Sequence, residues 1–344
     1  MTILTSIRRG LLRHTGWILG IASIALVVGA VVRIGDLQAF AAMLRSARPG
    51  WLLVALALQA VTYLCVAAGW KIVLAAAGTP QPFRRLYPIA IGKLFADQVV
   101  PVAGMGGNMF VVDRLTGLGV KRGAAVAALL VSMTGFYAAY CVCALAMLAI
   151  LWSKGLASLW IGGFVMLFLV VALAIPGLAV WIRWRGRHPL SPMLARFAVV
   201  RGLVLIVGEA PGKLLADRGL IARAAAVNGI VFLADSASLM VCFRALGQDV
   251  PFPVAFVAVM TASMVATLGP IPLGLGTFEA GATGMLSLMG VPLEAALAAT
   301  LLLRVFTLWL PLLPGFMLIR AALRTKARPS RIVDAAGALS QNRR

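Results

Sequence analysis

The stretch GAAVAALLVSMTGFYAAYCVCALAMLAILW, residues 123–152, contains no charged side chain. A helix needs about 20 apolar residues to cross the hydrocarbon core of a bilayer, and this run is longer than that. Comparable runs lie at about 16–33, 51–70, 156–182, 224–246 and 294–318. Water is absent at that depth, so every backbone amide must be satisfied within the chain, and each run is read as a helix. The expected fold class is therefore an all-α polytopic membrane protein. Composition agrees: 12% of residues are charged and 62% hydrophobic, against about 25% charged in a soluble domain.

Charge narrows the partners. The net charge is +21, from 31 Lys and Arg against 10 Asp and Glu. These cations fall in loops and tails between the apolar runs, where they orient the chain with its basic loops in the cytoplasm and meet anionic lipid. No module interleaving basic and aromatic residues is present, so nucleic acid is not an expected partner. Cys65, Cys141, Cys143 and Cys242 all sit inside apolar runs, and His14 and His188 lie in basic flanks. No disulfide framework, metal site or cofactor is expected from them. Arg8, Arg9 and Arg13 precede an apolar stretch from Trp17 to Val32 that is long for a signal peptide. It is read as an uncleaved first span.

Two apolar regions, 86–117 and 254–289, are interrupted by Pro and Gly. Each is too long for one span and poorly shaped for two. A pair of half-helices meeting at a break fits better, and such backbone is tolerated where protein buries it. An ungapped superposition that sets Pro101 on Pro272 also sets Asn108 on Glu279. It brings GVKRGAAVAALL (119–130) onto GVPLEAALAATL (290–301). The expectation is six full spans plus two re-entrant broken hairpins in two repeats, about 16–152 and 156–320. A plain count of eight transmembrane helices is the alternative. Lys71, Arg84, Arg85, Arg114, Lys121 and Arg122 flank the first hairpin, whereas GQDV and GVPLE flank the second. The second half is thus expected to be inverted, an architecture of transporters, with both termini cytoplasmic. Arg45 and Arg48 fit this orientation poorly. Residues 1–328 form one membrane domain in this scheme. Its basic segment 183–223 lies on the inner leaflet, and 329–344 are a disordered tail.

The stretch IPLGLGTFEA, residues 271–280, holds the densest set of candidate residues. Gly274 and Gly276 let the chain turn and let backbone approach a ligand. Thr277 is placed to cap the outgoing half-helix, whose N-terminus attracts anions. In the first half PVAGMGGNMF offers Gly104, Gly106, Gly107 and the cap-like Asn108. Glu279 needs a partner at that depth, since an unpaired charge at the bilayer centre costs about 2.5–3.5 kcal/mol. Arg304, about 15 Å into the last span, is the expected one. Such a pair serves either as a structural lock or as a switch that admits a headgroup or exchanges a proton. Lys93 and Asp97 are spaced to pair locally. Asp235 lies mid-span beside Ser236 and Ser238, with Asn228 two turns earlier, as a polar stripe or as interhelical hydrogen bonding. No nucleophile elbow, metal-ligand spacing or nucleotide loop is present, so an enzyme is not expected.

The residues from about Trp51 to Arg320 resemble the flippase-like family typified by the transmembrane region of lysylphosphatidylglycerol synthases. Its Pro-Gly-x-Gly-x-x-Glu stretch and following Arg-bearing helix are matched by IPLGLGTFEA and the helix of Arg304, which marks Glu279 and Arg304. The first half departs from the family. Asn108 stands at its acidic position, Val111 at its arginine position, and Asp97 where the family has asparagine. These departures imply a different lipid headgroup. Larger members carry a soluble aminoacyl-transfer domain, and a chain of 344 residues leaves no room for one. The resemblance therefore implies translocation without synthesis, in a bacterial inner membrane.

The function expected is a lipid translocase. A phosphate-bearing phospho- or polyprenyl headgroup would pass between the hairpins, contacting Glu279, Arg304, Asn108, Asp97, Thr277 and the five glycines, with Asp235 and Lys93 as secondary candidates. The partners are membrane lipids, together with enzymes of a lipid pathway. Two alternatives are a non-transporting membrane partner in a lipid or envelope pathway and a membrane-embedded lipid-modifying enzyme.

Overall fold

The computed structural model describes residues 47–99, 105–184, 210–269, 271 and 274–310. The first span at 16–33, most of segment 183–223, the tail, Gly104, Pro101, Pro270 and Pro272 lie outside the described residues. The elements in order are α1 (Pro49–Ala76), α2 (Phe83–Val99), α3 (Met105–Gly117), α4 (Arg122–Ser153), α5 (Leu159–Trp184), a single turn α6 (Gly212–Ala216), α7 (Arg218–Ala245), α8 (Phe252–Leu268), α9 (Thr277–Leu288) and α10 (Leu293–Arg304). A π-helical turn, Val305–Trp309, continues α10. No strand occurs among the described residues, and the protein is an all-α polytopic membrane protein. Helices α1, α4, α5 and α7 are each long and apolar enough to cross a membrane.

Both interrupted regions form two helices. The first yields α2 and α3, packed on each other; the second yields α8 and α9, likewise packed. At 17 residues α8 rises about 26 Å, less than the roughly 30 Å of a bilayer core. Several helices outrun the expected bounds: α1 covers 49–76 where 51–70 is apolar enough to mark a span. Hydropathy registers only the residues at lipid depth. A helix continues into the headgroup region until a breaker stops it, here Gly78-Thr79-Pro80.

Lengths recur in order. Helices α1 and α7 each have 28 residues, α2 and α8 each 17, α3 and α9 have 13 and 12. In the register that sets Pro101 on Pro272, the starts of these pairs, and of α4 and α10, coincide within two residues. Packing recurs too: α1 lies on α2 as α7 on α8, α3 on α4 as α9 on α10, and α1 on α4 as α7 on α10. Helix α5 has no counterpart among the described residues.

The most extensive helix pair is α1 with α7, followed by α7 with α4. Lipid tails are as apolar as leucine, so helices associate through close packing rather than hydrophobic burial. Gly135 on α4 shows how: a Cβ there would lie 2.7 Å from the Ala224 Cβ and 2.8 Å from the Ala224 main-chain carbon on α7. Neither neighbour is a flexible side chain. Gly135→Val is expected to force α4 and α7 apart and cost about 1–3 kcal/mol. The midpoint of thermal unfolding in detergent measures this. An unchanged midpoint would mean that the two helices do not depend on this contact.

Candidate functional site

The second break is built around two glycines. Gly274 has φ 62° and Gly276 φ 81°, a left-handed backbone in which a side chain is strained. A Cβ at Gly274 would also lie 2.5 Å from the Ala266 Cβ on α8. The chain therefore turns tightly against the helix it has just left, then starts α9 at Thr277.

The cap of α9 is Gly276 rather than Thr277. The Glu279 side chain, in the first turn, reaches back and accepts the Gly276 N–H through Oε2 at 2.7 Å. This is the side-chain half of a capping box. Thr277 already lies in the helix, and its hydroxyl is buried without a hydrogen-bond partner, as is that of Thr283. Glu279 Oε1 accepts from Arg304 Nε at 2.8 Å. Both residues are buried, at 6% and 8% exposure, and the Arg304 guanidinium lies 4.9 Å from the centre of the Phe278 ring. One carboxylate thus ties a glycine amide at the break, the start of α9 and the end of α10. The π-helical turn begins directly after Arg304; such turns occur often at functional sites.

The first break uses the same three parts from different positions. Asp97, near the end of α2, accepts the Gly107 N–H of α3 through Oδ1 at 3.0 Å. Its Oδ2 accepts from Lys93 at 2.6 Å. The residue satisfying the N-terminus of α3 is therefore Asp97 across the break, not Asn108, which is half-buried in the helix beyond. Gly107 has no room for a side chain, since a Cβ would run into the Asp97 carboxylate. Gly106 lies in the first turn of α3. At both breaks a carboxylate holds a cation with one oxygen and a helix N-terminal amide with the other. Helix N-termini attract anions in this way, and here the resident anion is a side chain.

Among the described residues the two helix pairs are not extensively packed on one another. In order of packing, α1 and α7 stand between α2 and α8. These two helices carry polar groups that the sequence marks only in part. Gln59, Thr62 and Tyr63 come from α1, and Asn228, Asp235, Ser236 and Ser238 from α7. Gln59 and Thr62 had a signal: they are polar residues one helical turn apart in an apolar run. Ser236 returns its hydroxyl to the Phe232 carbonyl, and the Asn228 amide donates to the Ala224 carbonyl. They are satisfied on their own helix. Among the described residues no group of three or more His, Cys, Asp or Glu could hold a metal ion.

The family model described as the lysylphosphatidylglycerol synthase TM region matches residues 17–315. No curated protein matches the chain. The match spans most of the sequence, and the chain belongs to this family, which fits a membrane protein of lipid metabolism or transport.

Proposed function

We propose that this member of the lysylphosphatidylglycerol synthase transmembrane-region family is a lipid translocase of the bacterial inner membrane. It moves a phosphate-bearing phospho- or polyprenyl lipid headgroup through the interior between the two broken helix pairs, leaves the lipid chemically unchanged, and keeps both termini in the cytoplasm. The observation that carries this reading is the chain Arg304–Glu279–Gly276. Opening that pair presents a guanidinium fork and a free helix N-terminus together. Both suit phosphate: the fork binds it through parallel N–H groups, and the helix end binds it through backbone amides and dipole. The Thr277 and Thr283 hydroxyls, buried and unpartnered, supply further donors. An unpaired arginine at this depth is costly, so the pair opens where a phosphate takes the place of Glu279. The Lys93–Asp97–Gly107 chain is the weaker counterpart in the first half, being more exposed.

Headgroup accessibility in proteoliposomes tests the reading, with labelled phosphatidylglycerol, a basic aminoacyl lipid and a polyprenyl phosphate. Transfer of one of these by the wild type, falling about tenfold or more in Glu279→Gln, is the expected outcome. Unchanged transfer by folded Glu279→Gln would remove the role assigned to the pair. A second reading, a non-transporting membrane partner of lipid-pathway enzymes, draws support from one fact: both carboxylates are fully engaged without a ligand. No transfer of any of the three lipids by folded protein favours that reading.

A further inference from the structure

Helix α7 holds a carboxylate, Asp235, to which the translocase reading gives no more than a secondary contact. Asp235 lies about 26 Å from the start of α7, close to mid-membrane depth. At 100° per residue it points about 200° away from the exposed Leu233. It shares its stripe with the buried Asn228, Leu239 and Cys242. It is half-buried rather than fully enclosed. Unlike Glu279 and Asp97, it has no ion-pair or hydrogen-bond partner among the described residues.

The polar groups on α1 offer both an acceptor and a donor, since the Tyr63 hydroxyl keeps its own proton. Thr62 gives its hydroxyl proton to the Gln59 carbonyl at 2.7 Å, so its oxygen is left to accept from Gln59 Nε2 at 3.0 Å. This fixes the amide orientation. Nε2 also donates to the Tyr63 hydroxyl at 3.2 Å, and Gln59 Oε1 is left buried with no donor. Tyr63 stands within electrostatic reach of Asp235 and of Tyr87 on α2. The other charged or titratable groups on the helices around α7 make no ion pair with Asp235 among the described residues. These are Cys65 and Lys71 on α1, Arg122, Tyr137, Tyr140, Cys141 and Cys143 on α4, and Glu294 and Arg304 on α10; α8 carries none. On α7 itself, Arg223 and Arg244 are about 18 and 14 Å away along the axis.

A carboxylate at this depth with no cation must lose its charge or gain a positive partner. We propose that Asp235 is a proton-binding site at the α1–α7 seam, with Tyr63 and Gln59 as its polar neighbours. One proton is taken up by the carboxylate and released when the seam opens to water. Protonation converts an unpaired anion into a hydroxyl donor, and Gln59 Oε1 is the acceptor lacking one. Because α1 and α7 stand between the two broken pairs, a proton here acts on the element that both halves share. The inference goes beyond lipid translocation, and its test reads a carboxyl group rather than lipid movement, so either can fail alone.

The experiment is infrared difference spectroscopy of the full chain in lipid nanodiscs, between about pH 5 and about pH 9. A carboxylic acid band that disappears as pH rises, and is absent in Asp235→Asn, is the expected result. Tyr63→Phe keeps the band and moves its midpoint by about half a pH unit or more. Asp235→Glu, which retains the group, keeps a titrating band at a shifted frequency and serves where Asp235→Asn fails to fold. No titrating band in the wild type, or an identical band in Asp235→Asn, overturns the proposal. So does a sodium-dependent rise in unfolding temperature without a band, which assigns the seam to an inorganic cation.

Discussion

Arg304→Met is expected to lower stability by about 3–5 kcal/mol, because it leaves the Glu279 charge buried and uncompensated. Glu279 is 6% exposed and, among the described residues, would keep only the Gly276 amide as a donor. Glu279→Gln removes the anion that balances the buried Arg304 charge. The double variant Glu279→Gln/Arg304→Met removes both charges while preserving volume. It is expected to regain most of the loss, since replacing a whole buried pair by neutral groups is often close to neutral. Unfolding midpoints of the four proteins in one detergent close the cycle. A coupling energy below about 0.5 kcal/mol would show that the two residues act independently. The double variant also separates two roles of the pair. If it is stable yet transfers no lipid, the pair does more than lock α9 to α10.

Gly274→Val is expected to cost about 2–5 kcal/mol. A side chain at φ 62° is strained by about 1–2 kcal/mol, and the added carbon meets Ala266 at 2.5 Å in a packed turn, which adds about 1–3 kcal/mol. Gly284 is the internal control. It lies in α9, and nothing stands within 4 Å of a Cβ placed there. Gly284→Ala is expected to be neutral or to stabilise by up to about 1 kcal/mol through helix propensity. Thermal unfolding of the two variants side by side measures the contrast. Equal midpoints would mean that the turn at 274 accommodates a side chain by shifting.

Much of the site was legible because it rests on residues with local physical consequences. Pro and Gly interrupting apolar runs are incompatible with one continuous buried helix, and the structure has a helix pair at each interruption. A lone Glu and a lone Arg at lipid depth require partners, and only a few candidates exist in so apolar a chain; Glu279 and Arg304 meet at 2.8 Å. Capping was less legible. Thr277 is the better cap by residue preference, yet Gly276 takes the position, because the left-handed backbone at 276 excludes a side chain and Glu279 supplies the missing oxygen. At the first break the acceptor comes from the preceding helix, ten residues before the amide it holds. No spacing rule along a single helix reveals a contact made across a turn.

The sequence by itself determined that the described residues are apolar helices broken at two places, since hydropathy and breakers act on each segment alone. It also determined that Glu279 and Arg304 must be compensated, since the cost of an unpaired charge in lipid is independent of the fold. Tertiary structure decided which surfaces meet. Lipid accepts almost any apolar helix face, so hydrophobicity does not say which face turns inward. Close approach does, as at Gly135 against Ala224. For the same reason only the packed bundle brought Tyr63 within reach of Asp235, an acid with no ion-pair partner among the described residues.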